Sequence, residues 1–211
     1  MKSIADIRKD YSQSSLTEND AAKNPIQQFA KWWDEAQISE IDEINAMTLA
    51  TADANGKPSA RIVLLKGFDE NGFVFFTNYE SHKGKELLIN PHACLVFFWK
   101  ELERQIRIEG IVEKTSAQES DEYFFSRPAG SRIGAWASPQ STVINNRTIL
   151  DENVQKFTND FGENIPRPSH WGGYRVVPSL IEFWQGRSNR LHDRIQYKKE
   201  NGEWVMERLA P

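Results

Sequence analysis

The segment that spans residues 183–194 concentrates side chains that can do chemistry. Within twelve residues it carries three arginines, one histidine, one aspartate and one tryptophan. Two apolar runs on either side of a polar connection at Gly186 predict a β-hairpin. The two-residue period of its second strand places Arg190, His192 and Arg194 on one face. Because burial of unpaired charge is costly, this face is predicted to meet an anionic or polar ligand, or to be solvated.

Further hydrogen-bond donors are scattered through the rest of the chain. Arg61 and Lys66 stand at the two ends of an apolar strand. Arg127 follows Tyr123 by four residues, so these two share a face of a predicted helix. The remaining donors are Lys83, Ser131, Arg132, Gln140 and Ser141. Phosphate is the common small anion that attracts several Lys and Arg donors, and the set predicts more than one phosphate.

Flat aromatic faces accompany these donors, since Trp136 and Trp184 can stack on a planar ring. The sequence has no P-loop, and no GxGxxG follows a strand, so neither common Gly-rich nucleotide cradle applies. It also has no GxSxG nucleophile elbow. The four histidines lack metal-ligand spacing and Cys94 has no second cysteine, so no metal is predicted. The pattern therefore indicates a phosphorylated aromatic cofactor.

Composition narrows the class of protein. With 211 residues and 39% hydrophobic content, the chain is long enough for one sizeable core. A net charge of −4 and a pI of about 5.7 argue against a general nucleic-acid binder. The N-terminus lacks the apolar stretch of a signal peptide, and no apolar run is long enough for a membrane span. The lone Cys94 suits a reducing compartment, so a cytoplasmic protein is predicted.

Hydrophobic periodicity predicts a mainly β chain with peripheral helices. Residues 1–23 are polar and are predicted to form a mobile arm, and 24–211 a single domain. Asn24 and Pro25 open a helix that ends near Gln37. Further helices are predicted at about 81–90, 117–126 and 151–161, and strands at about 46–51, 59–68, 73–77, 92–100, 104–114, 172–177, 180–184, 191–198 and 203–208.

The strands are mostly antiparallel, and an antiparallel barrel is the closed arrangement that best protects their edges. Apolar residues on both faces of 93–99 indicate that one face is covered, by helices or by a second subunit.

Several blocks of sequence in a particular order resemble a known family. They are 61–66, 126–128, 133–136, 171–173, 182–186 and 190–194. Through nearly its whole length, the chain resembles the pyridoxamine (pyridoxine) 5′-phosphate oxidase family. The resemblance implies an antiparallel FMN-binding split β-barrel and a homodimer with FMN at the subunit interface. It also implies oxidation of pyridoxamine and pyridoxine 5′-phosphates to pyridoxal 5′-phosphate by O2, with H2O2 as product and NH3 from the amine.

The resemblance also implies site residues. Those for FMN are Arg61, Ile62, Val63, Leu64, Leu65, Lys66, Phe76, Thr77, His82, Lys83, Gln105, Gln140, Ser141, Trp184 and Arg194. Those for the substrate are Arg8, Tyr11, Lys66, Tyr123, Arg127, Ser131, Arg190 and His192. Arg190 and His192 would be catalytic, and Arg8 and Tyr11 would close the N-terminal arm over the site as a lid.

Two positions depart from the family pattern. His82 stands where the family often has arginine, which predicts a weaker or pH-sensitive contact to the FMN phosphate. Phe76 replaces a tyrosine and removes a hydroxyl. Two other classes of function stay open: a non-catalytic binder of FMN or pyridoxal phosphate, and another split-barrel flavoenzyme such as a nicotinamide-dependent flavin reductase. The intact substrate-side residues disfavour the first, and the cluster at 190–194 disfavours the second.

Overall fold

The computed structural model describes residues 3–7 and 9–211, so Arg8 lies outside the described residues. The α-helices are α1 Pro25–Gln37, α2 His82–Ile89, α3 Ala117–Ser126, α4 Ala129–Ala137 and α5 Thr148–Phe161. The strands are β1 Ala46–Ala52, β2 Pro58–Leu64, β3 Gly67–Asp69, β4 Gly72–Asn78, β5 His92–Trp99, β6 Arg104–Lys114, β7 Trp171–Gln185, β8 Asp193–Glu200 and β9 Glu203–Arg208. Short 3-10 turns occupy Ile4–Asp6, Lys100–Leu102 and Ser188–Arg190.

The chain divides into two compact units. The first unit contains residues 1–49, 94–110 and 178–211, and the second contains residues 50–93 and 111–177. Among residues 3–7 and 9–211, no helix combines the length and the apolar character that a membrane crossing requires.

The first unit is built on a β-sheet with one helix packed on it. Its strands neighbour one another in the order β1, β5, β6, β7, β8 and β9, and the β7–β8 and β8–β9 pairs are antiparallel. Helix α1 begins as predicted, because Asn24 Oδ1 accepts from the backbone N–H of Ile26. Its apolar face buries Phe29 against Phe97 and Trp32 against Phe183. These contacts form the core of the unit.

The second unit has β4 as its central buried strand, paired antiparallel with β3 on one side and β7 on the other. Side-chain caps start two of its helices, since Ser81 accepts from Gly84 N and Ser116 accepts from Glu119 N. A second hydrophobic cluster forms where α3, α4 and β7 meet, and its buried members are Phe124, Ile133, Ile165 and Trp171.

Some predicted boundaries are wrong. The predicted strand 59–68 is two strands, because β2 neighbours β1 whereas Lys66 N already donates to Val74 O of β4. The two strands predicted around Pro178 are one, β7. Pro178 has no N–H to donate, and it falls between Val176, which pairs with β4, and Leu180, which pairs with β8. Helix α5 begins at Thr148, three residues before its predicted start.

Helix α4 was not predicted at all. It contains two glycines, which lower helix propensity, yet Ile133 and Ala137 lie one turn apart and are both buried. Its formation therefore depends on packing.

Candidate functional site

A cavity of about 360 Å³ lies in the second unit. Strands β2, β4 and β7 and helices α2 and α3 supply most of its wall. The lining residues are Arg61, Ile62, Val63, Leu64, Lys66, Phe76, Thr77, Asn78, Lys83, Tyr123, Arg127, Gln140 and Trp171. All of these except Asn78 and Trp171 were predicted as site residues. Trp171 belongs to the 171–173 block of the family resemblance, which was the available signal for it.

Lys83 is one of the lining residues and is 9% exposed. Its Nζ donates to Gln140 Oε1 at 3.0 Å, Thr77 Oγ1 at 3.2 Å and Ser81 Oγ at 3.3 Å, all neutral oxygens. Burial, assisted by the charge of Arg61, lowers the pKa of Lys83 to about 8. A bound anion would compensate the buried ammonium for its lost hydration, so this position suits a phosphate.

Arg61 is held by a small polar network at the buried Glu86. The guanidinium donates to Thr51 Oγ1 and Ser59 Oγ and lies 3.4 Å from Glu86 Oε2. Burial alone would raise the pKa of the Glu86 carboxyl, but hydrogen bonds from Thr51 and Ser59, with the charges of His82 and Arg61, lower it. Glu86 is therefore a carboxylate that fixes the direction of Arg61.

The predicted FMN ligand His82 is placed outside the cavity lining. Its Nε2 lies 3.0 Å from Glu86 Oε1, and its side chain is 65% exposed. Leu65 is buried, and Ser141 is exposed with a φ of 68°. Neither of these two lines the cavity.

Arg127 does not share a helix face with Tyr123, and that prediction is wrong. Helix α3 ends at Ser126, and Arg127 is extended, with φ −78° and ψ 147°. Both residues nevertheless line the cavity. The Arg127 guanidinium lies over the ring of Trp171, 4.7 Å from its centroid, and Arg127 Nη1 is buried without a hydrogen-bond partner among the described residues.

An aromatic wall faces these cations. The ring of Phe76 stacks on Tyr123 at 4.0 Å and on Trp171 at 5.6 Å. Lys66 Nζ lies 5.9 Å from the Tyr123 ring, and the side chain of Lys66 is exposed. Ser131, the other predicted phosphate ligand, is exposed in the first turn of α4 and does not line the cavity.

The first unit contains a second group of predicted residues. The rings of Trp184 and His192 lie 4.5 Å apart, and the Tyr11 ring lies 5.7 Å from Trp184 and 6.0 Å from His192. A cavity of about 250 Å³ adjoins them. Its lining residues are Ile7, Lys9, Asp10, Tyr11, Arg187, Arg190 and His192.

The predicted hairpin is confirmed by the β7–β8 pairing, but the shared strand face of Arg190, His192 and Arg194 is wrong. Asn189 and Arg190 both have positive φ angles, 58° and 63°, and strand β8 begins only at Asp193. Arg190 and His192 therefore lie in the turn that precedes the strand.

His192 is held in one tautomer. Its Nδ1 accepts a hydrogen bond from Arg187 N at 3.1 Å, so a neutral ring carries its proton on Nε2. Burial, with the charge of Arg190, lowers the pKa of His192. The imidazole is therefore neutral at pH 7 and presents an N–H donor.

Arg194 is fixed by a buried carboxylate. Its Nε donates to Glu182 Oε1 at 2.7 Å, and Arg107 Nη2 donates to Glu182 Oε2 at the same distance. Glu182 is 2% exposed. Gln105 lies half-buried in β6.

Comparison with known proteins gives consistent matches. A family model described as "Pyridoxamine 5'-phosphate oxidase" matches residues 34–159, and one described as "Pyridoxine 5'-phosphate oxidase C-terminal dimerisation region" matches residues 171–211. The chain is 60% identical over 212 residues to the pyridoxine/pyridoxamine 5'-phosphate oxidase of Paraburkholderia phymatum, with all of both chains covered. It is 59% identical over 211 residues to the protein of the same name from Polynucleobacter asymbioticus, again with complete coverage of both.

Two solved structures share the fold. PhzG from Burkholderia lata 383, in complex with tetrahydrophenazine-1-carboxylic acid, has a TM-score of 0.89 at 31% identity, over 95% of this chain and 100% of that one. A pyridoxamine 5'-phosphate oxidase-related, FMN-binding protein from Nostoc punctiforme has a TM-score of 0.71 at 17% identity, over 90% and 100%. The predicted fold class, a mainly β antiparallel split barrel, is confirmed by these similarities.

Proposed function

This chain belongs to the pyridoxamine 5'-phosphate oxidase family, and on that premise we propose that it oxidises pyridoxamine and pyridoxine 5′-phosphates to pyridoxal 5′-phosphate. It is an oxidoreductase of vitamin B6 metabolism, and its cofactor is FMN. Dioxygen is the electron acceptor and H2O2 the product, with NH3 released from the amine.

One observation carries the substrate assignment. Arg127 Nη1 is buried in the wall of the larger cavity without a hydrogen-bond partner among the described residues. A buried donor without a partner costs about 1–3 kcal/mol, and a bound phosphate oxygen removes that cost. Lys66 and the Tyr123 hydroxyl belong to the same lining and provide further donors. We assign the substrate phosphate to these three residues; the resemblance adds Ser131, which lies outside the cavity lining.

The remaining polar lining fits FMN. Lys83 and Arg61 are cations, and Thr77 and Gln140 are neutral donors. The lowered pKa of Lys83 shows that burial disfavours its charged form, which a bound anion would stabilise. We assign the FMN phosphate to this group. When bound, FMN supplies a two-electron acceptor that O2 can reoxidise.

The chain's own residues bind and orient the reactants. The resemblance assigns His192 and Arg190 to the reacting end of the substrate: the neutral Nε2–H of His192 would donate to its hydroxyl or amine, and the cationic Arg190 would orient it. Arg194, whose direction is fixed by Glu182, would supply a positive charge that stabilises negative charge on the bound flavin. The resemblance adds Gln105, Ser141 and Trp184 to the FMN contacts and assigns Tyr11 to a lid over the substrate, together with Arg8, which lies outside the described residues.

We further propose a cytoplasmic homodimer with FMN at the subunit interface. The match of residues 171–211 to a dimerisation region supports the dimer. Strand β5 also presents an apolar face in the single chain, since the side chains of Cys94 and Val96 are half-buried and Phe98 is 54% exposed. A second subunit would remove this face from water.

An oxygen-electrode assay tests the proposed function. We expect the FMN-loaded protein to consume O2 with pyridoxine 5′-phosphate, to respond far less to unphosphorylated pyridoxine, and to leave reduced nicotinamide unoxidised. Equal rates with and without the substrate phosphate would contradict the assignment of Arg127. Oxidation of the nicotinamide alone would favour a flavin reductase, and no turnover with any of them would favour a non-catalytic binder.

A further inference from the structure

Glu103 is a buried carboxylate outside the two groups described above. It follows the 3-10 turn Lys100–Leu102, is 2% exposed, and has the left-handed angles φ 54° and ψ 40°. Its Oε2 accepts from the backbone N–H groups of Ser12 at 2.9 Å and Gln13 at 3.1 Å. Its Oε1 lies 3.1 Å from Lys9 Nζ. These three donors all come from residues 9–13, here called the arm segment.

These donors keep Glu103 charged. Burial alone would raise the pKa of the carboxyl, but the backbone N–H groups of Gln13 and Ser12 and the ammonium of Lys9 lower it below its usual value. Charge-assisted hydrogen bonds to backbone N–H groups are among the stronger ones in proteins. Because the carboxylate has little access to water, loss of these donors would leave a buried charge unpaired. The arm segment and Glu103 therefore stabilise each other.

The backbone of Glu103 contacts the turn that carries the proposed catalytic pair. Its carbonyl accepts from Gly186 N at 2.8 Å and from Gln185 Nε2 at 3.3 Å. A Cβ on Gly186 would lie 2.8 Å from Tyr11 Cβ and 3.1 Å from Glu103 Cβ, so the glycine is needed for this close approach. One residue thus holds the arm segment with its side chain and the 186–192 turn with its main chain.

The arm segment and the turn are also bonded to each other directly. Ser188 Oγ donates to Tyr11 O at 3.2 Å, and Asn189 N donates to Asp10 Oδ1 at 3.3 Å. Together these contacts place the Tyr11 ring 6.0 Å from the ring of His192.

We propose that Glu103 is a positioning residue that anchors the arm segment and so holds Tyr11 against His192. It acts through Tyr11 and does not itself contact the substrate. The inference rests on the proposed function in one respect: the surface formed by Tyr11 and His192 is assigned to the substrate. Without the anchor, the arm segment leaves this surface and the substrate loses part of its contact area.

Glu103→Gln is the variant that tests the anchor, because glutamine keeps the size of the side chain but removes the charge. Its amide oxygen can replace one carboxylate oxygen as an acceptor, but its NH2 group cannot accept hydrogen bonds from the donors that the other oxygen served. We expect cleavage by chymotrypsin after Tyr11 to become about tenfold faster in this variant. The KM for pyridoxine 5′-phosphate should rise about tenfold, while kcat stays within about twofold of the wild type. A tenfold change corresponds to the loss of one hydrogen bond of ordinary strength.

Two further variants keep the test interpretable. Glu101→Gln changes an exposed glutamate two positions earlier and should alter neither the cleavage rate nor KM. Lys9→Ala removes one donor whose side chain is 54% exposed, so it should fold normally and raise both quantities about two- to threefold, as for a partly exposed ion pair.

The two readouts separate the possible failures. If Glu103→Gln and Lys9→Ala are cleaved at the wild-type rate, Glu103 is not the anchor and the inference is wrong. If cleavage accelerates but KM does not change, the inference is also overturned, because the arm segment then does not serve the substrate site. If the wild-type protein does not oxidise pyridoxine 5′-phosphate, the proposed function fails, and the cleavage rates alone decide whether Glu103 anchors the arm segment.

Discussion

Replacement of Arg127 by methionine separates a binding role of this residue from a structural one. The guanidinium lies 4.7 Å from the centroid of the Trp171 ring, and its Nη1 is buried without a partner among the described residues. The first contact is worth about 0.5–2 kcal/mol to folding. The unpaired donor costs about 1–3 kcal/mol. These opposing contributions nearly cancel, so removal of the guanidinium should change the stability of the free protein very little.

Substrate binding should respond strongly to the same change. A phosphate held by Arg127 gains charge-assisted hydrogen bonds that contribute about 2–3 kcal/mol. Their loss corresponds to a rise in KM of about 30- to 150-fold. Because the phosphate does not react, kcat should fall by less than about threefold.

Steady-state kinetics with pyridoxine 5′-phosphate and thermal melting of the FMN-free protein measure the two effects. We expect the Tm of Arg127→Met to stay within about 3 °C of the wild type, since one kcal/mol shifts the Tm of a chain of this size by about 2–4 °C. Arg147→Met, which changes an exposed arginine just before α5, is the control and should leave both quantities unchanged. An unchanged KM, or a large fall in Tm without a change in KM, would refute the phosphate assignment.

Three other predictions follow from the charges in the two units. The neutral ring of His192 is the active form and its pKa is lowered, first by burial and then by the charge of Arg190, so kcat/KM should fall only at pH values below the usual histidine pKa. In a pH-rate profile, Arg190→Gln should move this fall to higher pH, because it removes a charge that lowers that pKa. FMN should bind more weakly as the pH rises through about 8, where free Lys83 loses its proton, and Lys83→Met should abolish this dependence in fluorescence titrations. His82→Ala should change FMN affinity less than about threefold, because the exposed ring faces Glu86 and such ion pairs contribute little; a tenfold loss would place His82 on the phosphate.

Local signals in the sequence predicted where helices α1, α2 and α3 begin. Asn24, Ser81 and Ser116 cap their helices with their own side chains, so a few neighbouring residues contain the whole signal. The cavity lining was predicted through the family resemblance, because scattered residues such as Lys83 and Arg127 carry no local sign that they meet. Helix α4 was missed because it also lacks a local signal. Its stability depends on packing among apolar side chains that are distant from one another in the sequence.

The turn at 188–192 shows most clearly that a local sequence pattern does not report contacts between residues that are distant in the sequence. Alternation of polar and apolar residues predicted a strand there, but the positive φ angles of Asn189 and Arg190 break it. The contacts that accompany this backbone come from Asp10 and Tyr11, more than 170 positions away in the sequence. A two-residue period contains no information about interactions at such separation. It therefore could not predict that Arg190 and His192 lie in a turn.

A crystal structure of the protein with FMN and pyridoxal 5′-phosphate tests the central claim most directly. The account predicts one phosphate within hydrogen-bond distance of Arg127 and Lys66, and a second beside Lys83 and Arg61, with the Arg127 Nη1 donor now paired. Phosphates bound elsewhere, with these four side chains pointing into solvent, would contradict it.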